Sequence, residues 1–124
     1  MSAFIPYLQS LSQRCPDVLV SSVMGLDGLS VETFSSVDVM EKYQLDSDAL
    51  FVEFSTIVNR IQNRSLDLAM GEFEELSLQS ESFTCLVRRI TNEYFLAIAV
   101  RATGNIGKAR YLARVLAPEI KREL

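Results

Sequence analysis

The sequence predicts an α/β domain of the α+β kind, ordered helix, two strands, helix, three strands, helix, with helices on both faces of one sheet. Three observations predict it. Asp27-Gly28 lies between two apolar runs and marks a hairpin, because glycine tolerates the positive φ of a tight turn. Residues 50–61 carry apolar side chains at helical spacing. Residues 94–100, Tyr-Phe-Leu-Ala-Ile-Ala-Val, are apolar at every position, so that strand is central and covered on both sides.

The elements follow in order. Residues 3–14 read as a helix with Phe4, Leu8 and Leu11 on one stripe, stopped by Pro16. Residues 18–24 form a strand interrupted by Ser21 and Ser22, and residues 29–34 form its return across Gly25-Leu26-Asp27-Gly28. Residues 35–46 are polar and read as an irregular loop. Ser47-Asp48 offers a helix N-cap, and the second helix runs to about Leu66 or Leu68. Leu50, Phe54, Ile57 and Ile61 trace its buried face, Phe51 and Val58 widen it, and Glu53, Arg60 and Arg64 lie beside or behind it. Gly71 breaks that pattern, and from Phe73 the period becomes two, with Leu76 and Leu78 inward and Glu75, Ser77 and Gln79 outward. Residues 83–91 and 94–100 are the last strands. Gly104-Asn105 opens a final helix with Ile106, Ala109, Ala113, Leu116 and Ile120 buried; Pro118 is expected to kink or interrupt it after Ala117.

The chain has 124 residues, which suits a single domain over 1–124 able to bury a core without disulfide or metal. No apolar run reaches the roughly 18 residues of a membrane span, and the start lacks a basic signal-peptide region, so a cytoplasmic protein is expected. The net charge of −4 argues against nucleic acid. Charge is uneven: residues 67–81 hold five acids and no base, residues 108–122 five bases and one acid. That suits protein partners or self-association, and equally two solvated surfaces.

Histidine is absent, which removes Ser-His-Asp and Cys-His catalysis and imidazole metal ligands. Cys15 and Cys85 are far apart, and Cys85 reads as a small buried hydrophobe. Gly104-Asn105-Ile106-Gly107-Lys108-Ala109 fails as a phosphate loop: Ala102 stands where the first glycine belongs and Ala109 where Ser or Thr belongs. Asn63-Arg64-Ser65 fits a glycosylation sequon but lies in a predicted helix. Asp38, Glu41, Asp46 and Asp48 lack the spacing and glycine of a calcium loop. Glu72, Glu74 and Glu75 lie on a predicted edge strand, not in a pocket. No catalytic residue, metal ligand or cofactor is expected, and no enzyme activity.

The element order, the Asp27-Gly28 hairpin, the 94–100 strand running into Gly104-Asn105-Ile106-Gly107-Lys108-Ala109-Arg110, and the tail with Ala117-Pro118-Glu119 together resemble the roadblock light-chain family. The resemblance covers nearly the whole chain; the polar loop 35–46 and the acidic run Glu72-Phe73-Glu74-Glu75 depart from it. It implies a three-layer fold: a five-stranded antiparallel sheet with the long helix on one face and the terminal helices on the other. It also implies a dimer formed by pairing third strands and packing second helices, which places Phe51, Val58, Phe73, Glu74, Leu76 and Leu78 in the interface. Pairing would close an open edge. Glu72, Glu74 and Glu75 would then face their own copies, so either the register separates them or the partner is a different, basic subunit. A homodimer is the favoured expectation.

Family members are non-catalytic partners. Some scaffold Ras-like small GTPases, others sit in dynein motors, and the bacterial MglB-like branch regulates a small GTPase in cell polarity. On that likeness the exposed side of the second helix, at Glu53, Arg60 and Arg64, is the expected partner surface. Arg60 and Arg64 are also read as plain solvated charges. A rival reading is a small-molecule sensory domain, with Tyr94, Tyr111 and Thr84 as loose candidates for its cavity.

Overall fold

The computed structural model describes residues 3–124. Its elements are α1 (Ile5–Arg14), β1 (Val18–Gly25), β2 (Ser30–Ser35), α2 (Val39–Tyr43), α3 (Ser47–Ser65), β3 (Glu75–Gln79), β4 (Phe83–Arg89), β5 (Tyr94–Arg101) and α4 (Ile106–Lys121). The strands form one antiparallel sheet in the order β2-β1-β5-β4-β3. β2 and β3 are therefore its edges.

The central strand is where the apolar run required it. Phe95 to Val100 are all buried, and they alternate between two cores. Leu96, Ile98 and Val100 face α1 and α4 with Leu8, Leu11, Leu112, Leu116 and Ile120. Phe95, Ala97 and Ala99 face α3 with Phe51, Phe54 and Val58. The α1 stripe of Phe4, Leu8 and Leu11 is buried as its spacing demanded.

The hairpin forms around Gly25–Gly28. Gly28 has φ +89°, its N–H donates to the Gly25 carbonyl at 3.0 Å, and the Leu29 N–H donates to Asp27 Oδ1 at 3.0 Å. A side chain at Gly28 would be strained there.

Four expectations are corrected. Residues 35–46 are not wholly irregular, because Asp38 Oδ1 accepts the Glu41 N–H at 3.1 Å, α2 follows, and Val39 anchors it in the core. Asp at the cap with Glu three residues on is a helix-start pattern legible in the sequence. The cap of α3 is Asp46, whose Oδ1 accepts from the Ala49 N–H at 3.1 Å, rather than Ser47 or Asp48. The buried face of α3 centres on Phe51, Phe54 and Val58; Ile57 and Ile61 are 42% and 40% exposed. Finally, α4 runs through Pro118 without interruption. Proline there removes one hydrogen bond, and buried Leu116, Ala117 and Ile120 on either side hold the last turn against the sheet.

Candidate functional site

The β3 edge and the neighbouring flank of α3 form the candidate surface. β3 pairs with β4 on one side only, in the register Glu75–Arg88 through Gln79–Thr84. Its other row of backbone groups is free to pair. Period-two alternation puts Leu76 and Leu78 on the α3 side. Leu76 is partly buried against the α3-side core, whereas Leu78 is 50% exposed.

On α3, Val52 and Asn59 border a groove with Leu26 and Gly28 of the hairpin turn. Ile61 stands about half a turn around the helix from Val52, on the flank away from the hairpin groove, with Ile57 beside it. Beyond the helix, Leu66, Leu68 and Met70 are exposed on the connector to β3. Exposed apolar side chains thus recur along α3 and the connector that leads to the free strand edge. Exposed apolar surface that forms a contiguous patch marks an interaction site.

The acids beside this edge are compensated within the chain. Glu72 Oε2 accepts from Arg89 Nη2 at 3.0 Å, and Glu75 Oε2 from Arg110 Nε at 2.9 Å. The Glu75 side chain is drawn toward α4, away from the α3 flank. Glu74 is exposed, precedes the strand, and engages β4 through its carbonyl, which accepts the Arg89 N–H at 3.0 Å.

The predicted interface residues divide. Phe51 and Val58, expected on the flank awaiting cover, are each 1% exposed and belong to the chain's own core. That expectation is corrected: the uncovered apolar residues of α3 are Val52, Ile57 and Ile61. Phe73 precedes β3 and packs partly buried against the α3-side core. Glu53, Arg60 and Arg64 are exposed on α3, without an ion pair among the described residues. Arg60 also borders the groove of about 380 Å³ between α3 and the hairpin turn.

The ligand-cavity candidates do not converge. Thr84 is buried on β4, Tyr111 is half-exposed on α4, and Tyr94 borders a shallow groove of about 190 Å³ that neither of the others lines. Burial pushes the Cys85 thiol up to about 11, so it is neutral at physiological pH. The Gly104 region is a helix start: Asn105 Oδ1 accepts the Lys108 N–H at 3.0 Å, and Asp17 Oδ2 accepts the Asn105 N–H at 2.8 Å. Arg101 donates to Asp17 Oδ1, and this bond, followed by the one from Asn105, holds the Asp17 carboxyl below the usual carboxylate range. No helix among the described residues is long and apolar enough to cross a membrane, and no cluster there has the makings of a metal site.

Comparison with solved structures places the fold. The chain is 35% identical to MglC from Myxococcus xanthus, over 99% of this chain and 100% of that one, with a TM-score of 0.70. Identity at that level along the full length decides the kinship. The chain belongs to the roadblock family. Other roadblock-fold structures superpose well at lower identity. The gliding protein MglB from Thermus thermophilus has a TM-score of 0.82 at 14% identity, over 95% of this chain and 85% of that one. A Roadblock/LC7 domain from Streptomyces avermitilis has 0.78 at 14%, over 94% and 93%. No protein-family sequence model and no curated protein sequence matches the chain. As a roadblock protein it is a small interaction or regulatory module. Sequence reading missed the exposure of Ile57 and Ile61; the signal available was that six apolar residues make a stripe wider than one sheet face covers.

Proposed function

We propose that this chain is a non-catalytic, cytoplasmic module that forms a homodimer through β3 and α3, and that the dimer scaffolds or regulates a Ras-like small GTPase in bacterial cell polarity or motility. The observation that carries this reading is the free β3 edge with half-exposed Leu78, together with uncovered Ile57 and Ile61 on α3. A second copy would extend the sheet and cover both isoleucines. The in-cis pairing of Glu72 and Glu75 weakens the electrostatic objection to such a homodimer. The GTPase reading draws on the family and on the likeness to MglB, a gliding protein. Glu53, Arg60 and Arg64, exposed on α3, are the residues offered to that partner.

Light scattering over a concentration series tests the assembly. The wild type is expected at twice 13.9 kDa. Leu78→Lys and Ile61→Lys are expected to shift it toward monomer without unfolding, since both positions are partly exposed. Leu76 is unsuitable, being packed against the core. A wild type that stays monomeric at high concentration sinks the homodimer. Binding of purified Ras-like GTPases, in their GDP and GTP forms, then tests the partner class, with Arg60→Ala and Arg64→Ala as probes. Failure to bind either nucleotide form in a dimeric preparation removes the GTPase reading alone.

A further inference from the structure

On the α4 side of the sheet, Arg88, Ile90, Arg114, Ala117, Pro118 and Lys121 line a groove of about 200 Å³ between the end of β4 and the last turns of α4. Three cations meet there: Arg88, Arg114 and Lys121. None has an ion pair among the described residues. Arg89 borders the groove too, but its guanidinium is already held by Glu72 and Asn92. The nearest carboxylate by strand register is Glu75, opposite Arg88, and it is held by Arg110 at 2.9 Å. Burial, then Glu123 and Glu119, raise the pKa of the Tyr7 phenol, so Glu119, the acid within α4, lies toward α1. The groove therefore carries uncompensated positive charge in a chain whose net charge is −4.

The floor is apolar, made by buried Ile90 and Ala117. Pro118 has no N–H, so the Arg114 carbonyl one turn earlier lacks its helical donor. A phosphate or other simple anion has no use for that acceptor. A peptide supplies both partners at once: carboxylates for the cations and a backbone N–H for the carbonyl.

We propose that this groove is a docking site for an extended acidic segment of a partner protein. The site goes beyond the β3 and α3 surfaces of the proposed function and lies across the sheet from α3. Carboxylates of the segment pair with Arg88, Arg114 and Lys121. One of its N–H groups donates to the Arg114 carbonyl, and small apolar residues rest on Ala117 and Ile90. Guanidinium groups at two of the three positions suit carboxylate recognition.

The test is fluorescence anisotropy on the full chain with a labelled ten-residue peptide of alternating Glu and Ala; a Lys-Ala peptide serves as control. The acidic peptide is expected to bind and the basic one not. Lys121→Glu and Arg114→Glu should each weaken binding about tenfold, as for loss of a charged contact. Lys108→Glu, about 9 Å from Arg114 and about 20 Å from Lys121 along α4, should change it less than about twofold. Pro118→Ala restores the helical N–H while leaving every charge in place, and should weaken binding about fivefold. Circular dichroism establishes that each variant is folded. Equal losses from Lys108→Glu and Lys121→Glu would show diffuse attraction and overturn the site. Unchanged binding in Pro118→Ala, with displacement of the peptide by inorganic phosphate at matched ionic strength, would show an anion site and overturn the peptide assignment.

Discussion

Arg110 reaches from α4 to Glu75 on β3, 35 residues earlier in the chain, and holds its carboxylate at 2.9 Å. The contact turns an edge-strand acid toward its own domain. An edge that bears free acids repels its copy; one whose acids are paired in cis repels it less.

Arg110→Glu is therefore expected to weaken self-association about tenfold at low salt, because it frees Glu75 and adds a second acid beside the edge. Added salt to about 0.5 M should recover most of the difference by screening. Folding stability should change by less than about 1 kcal/mol, since the pair is partly exposed. Sedimentation velocity at two salt concentrations measures the effect; an unchanged dissociation constant removes Arg110 from the account of the edge.

Phe51 and Ile57 make a contrasting pair on α3. Phe51→Ala should cost about 3–5 kcal/mol in urea denaturation, because Phe51 is fully enclosed by the α3-side core. Ile57→Ala should cost less than about 1 kcal/mol and instead reduce dimer mass in light scattering. A large folding cost for Ile57→Ala would mean that the isoleucine is covered within one chain.

Asp17 links the end of β5 to the start of α4 by accepting from Arg101 and from the Asn105 N–H. Asp17→Ala is expected to cost about 1–2 kcal/mol at pH 7. The Arg101 bond, and then the Asn105 bond, lower the folded-state pKa below 3.8. The contribution is thus fully present above about pH 3.8 and lost as pH falls through the folded value. Wild type and variant should converge in stability as pH falls below the folded value. A gap that persists there would mean the loss is one of packing, not charge.

Much of the fold was legible locally. Asp27-Gly28 specified its turn because glycine alone tolerates the φ required. The 94–100 run specified a doubly covered strand because no polar position offered a wet face. The short helix α2 was missed although Asp38 and Glu41 stand at capping spacing, because a five-residue helix has too few turns to show a period. The candidate surface was legible only in part. Leu78 was placed on the edge strand correctly, but Phe51 and Val58 were assigned to a flank when they form the centre of the buried face.

Local pattern alone was enough to place the five strands and the three longer helices, to make one strand central, and to rule out histidine-based chemistry. Those properties depend on neighbours within a few residues or on composition. Tertiary structure decided which third of α3 is covered, because a sheet shields only part of a wide apolar stripe and periodicity does not say where the shield is centred. It also decided that Glu72 and Glu75 are paired, since Arg89 and Arg110 lie 17 and 35 residues further along the chain and come near only when β4 and α4 pack beside β3.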